Sequence, residues 1–342
     1  MSAQNAAVNM NLKSRSIKRI IVYIVEIVLL ITLVLVSLRF GSVNYSLKQI
    51  IDALTIGSDF TVRTIILNIR LPRTILAVFV GANLAISGAL LQSVLRNPLA
   101  SPGVIGVTSG ASLAAIIIML VFPELTALVP FVAFLGGMIA TFLVFILSWR
   151  QGISAVRIVL AGVAINAILG GGTSMLSVLY SDRIQGILMW VNGSLAGKSW
   201  NQVEILLPYT VIGLIIAVFE TGVANALQLG DDTAKNLGVR VNLARVILSM
   251  TAAFLTGISV AVVGLIGFIG LIVPHISRLL VGSDYRFMLP SSAILGANLL
   301  VLADMVARTA FSPIELPVGI IMALVGGPFF LYLLRKVRGY GS

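Results

Sequence analysis

The sequence predicts an all-α polytopic membrane protein of about ten transmembrane helices, and three observations predict it. Of its 342 residues 58% are apolar, enough for roughly ten spans at about 20 apolar residues each. Only 10% are charged, well under the roughly 25% of soluble globular domains. The positive charges, finally, are divided unevenly among the segments that join the apolar runs. A soluble chain of this length could not bury so much apolar surface, so a soluble enzyme, a nucleic-acid-binding domain and a disordered protein are excluded. The 23 Lys and Arg against 12 Asp and Glu then read as topology, not as attraction to nucleic acid.

Taken in order, residues 1–19 form a cytoplasmic segment ending in Lys13, Arg15, Lys18 and Arg19. The run from Ile20 to Leu38, broken only by Glu26, is long for a secretory signal and lacks small residues at a cleavage position, so it reads as an uncleaved first span. Residues 40–73 are polar and are expected outside. Charge-free runs follow at Thr74–Leu95, Asn97–Pro123, Leu125–Trp149, Ile158–Ser181 and Ile205–Phe219, each one span. Val246–Ser277 is too long for one helix and is punctuated by Gly257, Gly264, Gly267, Gly270 and Pro274; it divides into a span to about Val263 and a short return helix. Phe287–Ala303 and Leu316–Leu334 complete ten spans, which form one transmembrane domain over residues 20–334, with 335–342 as a cytoplasmic tail. With the N-terminus inside, the inner segments hold 15 of the 23 Lys and Arg and the outer ones the remaining 8, as the positive-inside rule requires. Arg70-Leu71-Pro72-Arg73 and Arg240 to Arg245 each open a span, and these spans run in opposite directions, the arrangement an inverted internal repeat would give.

Gly193 to Ser199 imitates a nucleotide-binding loop but has three residues, not four, before its Gly-Lys-Ser, and no strand precedes it; it reads as a tight outer loop between interfacial Trp190 and Trp200. With no cysteine and a single histidine, His275, neither a thiolate nor a His-rich metal site can form, and no cofactor or metal is expected. His275, next to Pro274, reads as a structural hydrogen-bonding residue. Asp304 is the deepest acid of a late span, where a proton relay is one reading and an i,i+4 pair with Arg308 the other, favoured one. No role is readable for Glu26 or Glu220.

The cytoplasmic loop at about 227–243 holds Asp231, Asp232, Ala234, Leu237 and Gly238. Asp231 or Asp232 can cap a helix start and Gly238 can close its end in the left-handed conformation. Such a helix is too short to stand alone in water, so it is either a capped connector or a lever against a cytoplasmic partner. Arg70, Arg73 and Arg308 lie at outer boundaries. Singly each reads as a snorkelling anchor; clustered, they would make a docking patch for carboxylates.

Several strings resemble the FecCD family of ABC importer permeases. They include Arg70-Leu71-Pro72-Arg73, Arg96-Asn97-Pro98-Leu99-Ala100-Ser101-Pro102-Gly103, Trp190 to Leu195, Gly264 to Arg278, Ala303-Asp304 with Arg308, Glu315 to Gly319, and Gly327-Pro328-Phe329-Phe330. They run in order from about residue 20 to the C-terminus. The family includes the vitamin B12 importer permease and many ferric-siderophore permeases. The resemblance implies a second permease subunit, in a homo- or heterodimer, two cytoplasmic ATPases that hydrolyse ATP in this chain's stead, and an extracytoplasmic substrate-binding protein. It implies that Arg70, Arg73 and Arg308 meet acids of the binding protein, that Asp231–Gly238 carries the ATPase-coupling helix, and that inner-gate positions fall on Asn97, Leu99, Ala155 and Val156. The last pair is apolar here where the B12 permease has hydroxyls, which puts polar gating by that loop in question. The expected cargo is a ferric siderophore or a similar bulky chelate, with cobalamin or haem as alternatives. An ion-coupled secondary transporter using Asp304 or Glu26 is the competing class. An intramembrane enzyme is set aside for want of nucleophile–base pairs.

Overall fold

In a computed structural model most of the long apolar runs are helical; residues 2–41, 43–55, 59–150 and 152–337 are described. Residues 338–342 of the predicted cytoplasmic tail lie outside the described residues. The helices are α1 (Ser2–Arg39), α2 (Leu47–Leu54), α3 (Phe60–Thr64), α4 (Leu71–Leu95), α5 (Val107–Val121), α6 (Val129–Ser148), α7 (Ala155–Leu179), α8 (Leu188–Val191), α9 (Trp200–Phe219), α10 (Thr221–Gln228), α11 (Asp231–Asn236), α12 (Val241–Val263), α13 (Ile269–Val281), α14 (Tyr285–Thr309) and α15 (Val318–Val337). Among the described residues seven helical stretches are long and apolar enough to cross a membrane, and α5, α13 and α15 add three shorter apolar helices.

Two predicted elements come out differently. Part of the polar segment 40–73 is helix: α3 passes through a π-helical turn, Ile65–Arg70, into α4 without a break. Pro72 supplies no N–H within this continuous helix, and the Leu67 carbonyl five residues before it accepts instead from Trp200 Nε1 at 2.8 Å. The wider turn before it closes with the Leu71 amide on the Ile66 carbonyl. The expected span Asn97–Pro123 is helical only from Val107, apart from a 3₁₀ turn at Pro102–Ile105. Arg96 ends α4 in the left-handed conformation at φ 48°. The irregular stretch that follows satisfies its polar groups locally: the Leu99 amide donates to Asn97 Oδ1 and Asn166 Nδ2 to the Gly103 carbonyl.

The centre of the bundle is α4, packed against α14, α12, α13 and α9. It reaches its neighbours backbone to backbone: a Cβ on Gly81 would lie 2.2 Å from the Gly296 carbonyl oxygen, and one on Gly88 1.8 Å from that of Gly270. Small residues at such crossings are what allow membrane helices to approach closely. α12 stops at Gly264, whose φ of 79° and contact with the Trp190 carbonyl admit no side chain, and the chain turns back into α13 through Phe268 at φ 67°. That bulky residue in a left-handed conformation is held by α15, where a Cβ on Gly326 would meet the Phe268 ring. Phe268 also lines a cavity of about 230 Å³ with Leu84, Ser101, Thr108 and Thr256.

Candidate functional site

At one end of the bundle Arg70, Arg73 and Arg308 converge, and all three are buried. Arg70 Nη1 donates to the carbonyls of Leu38 at 2.7 Å and Arg39 at 2.9 Å, its Nη2 to that of Val43, and its guanidinium lies over the Tyr45 ring. It thereby occupies carbonyls that α1 leaves open at its C-terminus. Arg73 holds Asp304 with two nitrogens at 2.9–3.1 Å and reaches Glu315 with the third at 2.8 Å. Arg308 donates to the Ser37 carbonyl and, at 2.7 Å, to Ser37 Oγ. Thr74 Oγ1 has one proton and gives it to the Arg70 carbonyl, so the 2.9 Å contact between Ser37 and Thr74 is donated by Ser37. Ser37 and Thr74 thus join Arg308 to Arg70, and Arg73 forms a separate network with Asp304 and Glu315.

The favoured expectation for Asp304 is overturned: Arg73, from another helix, takes its carboxylate, and Arg308 turns to α1. Neighbours on one helix compete with a two-pronged partner across the bundle, and the planar fork of Arg73 makes the stronger arrangement. Glu315 is the outermost member of the network, 39% exposed at its side chain. The loop at Gly193–Ser199 is structural: the Ser194 amide bonds the Val263 carbonyl, and Ser199 with Gln202 forms the capping box that starts α9.

The other end carries α11. Neither aspartate caps it; Gly230, at φ 102°, is the residue before its first turn. Asp231 instead pairs with Arg245, and Asp232 projects outward toward Lys235. Gly238 closes the helix at φ 83°, its amide on the Lys235 carbonyl and that of Val239 on Ala234. Ala234 is fully buried and fastens α11 to the bundle, while Leu237 is exposed. Nearby, Arg286 and Asn225 hold Asp284 well below the usual carboxylate range, at about 2, while it caps α14.

Asn97 opens the irregular stretch after α4, and Leu99 bonds back to it. Ala155 and Val156 open α7 behind the capping residue Ser154. Both segments lie one side chain from α11: Arg96, beside Asn97, comes within 4.0 Å of Asp231, and Arg245 joins Asp231 to the carbonyl of Ile153. In the sequence Arg96 is an inner positive charge that opens a family string and Arg245 one that opens a span, and nothing in their local pattern shows which acid each finds. Glu26 sits on the buried face of α1, accepting from Ser291, and His275 lies edge-on to Phe329. Among the described residues no group of three His, Cys, Asp or Glu side chains could hold a metal.

Residues 29–336 match the FecCD transport family. The chain is 39% identical over 326 residues to the Fe(3+)-citrate import system permease protein YfmD of Bacillus subtilis, covering 95% of this chain and 98% of that one. It is 41% identical over 323 residues to the hemin transport system permease protein HmuU of Yersinia pestis, covering 91% and 94%. A solved inward-facing structure of a metal-chelate type ABC transporter superposes with a TM-score of 0.82 at 31% identity, covering 92% of this chain and 99% of that one.

Proposed function

The chain belongs to the FecCD transport family, and from that premise we propose that it is the membrane-spanning subunit of an ATP-driven importer for a ferric siderophore or a similar bulky iron chelate. The observation that carries this reading is the end-to-end match to permeases named for ferric citrate, hydroxamate and haem import. A second permease subunit would complete the pathway, each of two ATPases would sit against one subunit's α11, and a binding protein would deliver the chelate outside. Both termini would then lie in the cytoplasm. The uncovered apolar length of α7, with Leu160, Ile168 and Val178 exposed, supports a partner subunit. The competing ion-coupled mechanism loses Asp304 as its carrier, since both carboxylate oxygens receive Arg73.

Docking would occur over Arg70, Arg73 and Arg308 by exchange. Because the guanidiniums are already partnered, an incoming carboxylate would replace Glu315 on Arg73, the one contact of the network that is substantially open to water. Glu315→Gln should therefore accelerate association of the binding protein at low salt, an effect that weakens as salt rises. An unchanged association rate would remove the exchange.

The test of the function itself is uptake of iron-55 citrate, hydroxamate and haem into proteoliposomes holding the permease, its ATPases and its binding protein. Uptake should require internal ATP and be indifferent to a proton gradient. Gradient-driven uptake without ATP would overturn the reading.

A further inference from the structure

α11 bears one carboxylate that faces the protein, that of Asp231, and it lies between two arginines from different elements. Arg245 of α12 takes it with Nη2 at 2.9 and 3.1 Å to its two oxygens. Arg96, the last residue before Asn97, stands 4.0 Å away on the other side. Arg245 does not end at Asp231: its Nη1 donates at 2.6 Å to the carbonyl of Ile153, two residues before Ala155. The Ile153 amide is taken as well, by Asn242 Oδ1 at 3.1 Å. Both polar backbone groups of Ile153 are thus gripped by the first turns of α12.

The segment so gripped is stiff. Arg157 of α7 folds back over it, donating to the carbonyls of Gly152 at 2.8 Å and of Arg150, and to Ser154 Oγ at 3.1 Å. Ser154 in turn caps α7. A displacement of the Ile153 carbonyl is therefore passed to the start of α7 instead of being absorbed by a slack loop. A cavity of about 250 Å³, lined by Gly152, Arg157, Asp231 and Lys235 among others, leaves room beside the ion pair for such movement.

We propose that Asp231 and Arg245 form a relay that ties α11 to the Ile153 segment, so that Ala155 and Val156 at the start of α7 follow α11 when the ATPases move it, with Arg96 extending the same link to Asn97. Arg245 is a positioning residue in this relay, and the inference rests on α11 being the ATPase-facing helix. Its physical basis is that Arg245 is buried, so parting it from Asp231 would leave an enclosed charge without its partner, which is costly, whereas the water-exposed Asp232–Lys235 pair can part freely.

The chain has no cysteine, so spin labels report only from chosen sites. Leu237→Cys at the exposed end of α11 and Val156→Cys at the exposed start of α7 are labelled in the full complex with the ATPases, with and without a non-hydrolysable ATP analogue. With Arg245 present, the separation of the two labels should stay constant between the two states. In Arg245→Gln it should change with nucleotide, and chelate imported per ATP hydrolysed should fall at least about fivefold, the lower end of ordinary coupling between sites. Arg245→Lys separates a relay from simple charge balance: it retains the charge needed beside Asp231, but one ammonium cannot hold Asp231 and the Ile153 carbonyl in a fixed fork. It should fold and remain uncoupled. Full coupling in Arg245→Lys, or a separation that behaves alike in parent and variants, would overturn the relay alone. If the label at 237 is not immobilised when the ATPases bind, the assignment of α11 fails first, and the relay with it.

Discussion

Helices α4 and α7 have 25 residues each and are both apolar enough to cross a membrane, yet 83% of the most apolar window of the stretch containing α4 is buried against 17% for α7. Hydrophobicity decides that a helix enters the bilayer; it does not decide what the helix faces there, because lipid and protein are equally apolar neighbours. What separates the two is their small and polar residues. α4 carries Gly81, Asn83, Ser87, Gly88, Gln92 and Ser93, all buried, and each either admits a backbone or holds a partner. Asn83 donates to Thr210 and Ser259, and Ser87 to the Ala252 carbonyl. On α7 a close backbone approach is made at Gly162, beside the Val104 carbonyl, while Gly170 and Gly171 face open space, and polar attachment lies at its N-terminal cap and at Asn166.

The harshest test of this contrast is a matched pair. In Gly88→Val the new Cβ would fall 1.8 Å from a backbone oxygen and has no flexible neighbour to displace, so the cost should reach or exceed about 3 kcal/mol. The variant should lose its single peak in detergent size-exclusion. Gly171→Val, with nothing within 4 Å, should melt within about 0.5 kcal/mol of the parent. Equal damage from both would dissolve the distinction.

A charge on the open face of α7 sharpens it further. Ile168→Asp should leave the subunit folded but weaken its pairing with the second permease by roughly tenfold, about 1.4 kcal/mol, read as loss of that subunit on co-purification. Undiminished pairing would mean that lipid, not protein, covers this face. The smallest effect is expected for Asn83→Leu on α4. Hydrogen bonds between membrane helices contribute about 0.6 kcal/mol on average and about 1.7 at most, so a fall in thermal midpoint of a few degrees should be seen, with Thr210→Val not adding to it fully because the two share one bond.

The order and approximate ends of the spans were legible because apolar runs, glycine punctuation and the uneven placement of Lys and Arg are local or additive signals. The break at Gly264 and the return helix to Pro274 and beyond were readable for that reason. The helical run from Phe60 into α4 was not, since a π-helical turn has no compositional mark. The convergence of Arg70, Arg73 and Arg308 was stated only as a condition for docking, and their burial was hidden: charge counts place an arginine at a boundary but do not reveal a carbonyl of α1 waiting for it. Asp304 shows the same limit. Its i,i+4 neighbour is visible in the sequence, while Arg73, 231 residues earlier, is not.

The attachment of α1 has a consequence for how the chain is made. Its C-terminal end is held by Arg70 and Thr74, made soon after it, but its earlier half is tied to the far end of the sequence: Arg19 to the Val281 carbonyl, Tyr23 to that of Phe287, and Glu26 to Ser291, 265 residues later. At about 5–20 residues per second, synthesis of that interval takes roughly 13–53 s. Throughout it α1 has emerged but its partner helix has not, so the first span must wait in the bilayer with Glu26 unmatched, anchored by its basic start. Assembly of this permease is therefore completed only when α14 arrives, and the earlier half of α1, though made long before, is among the last parts to find its place.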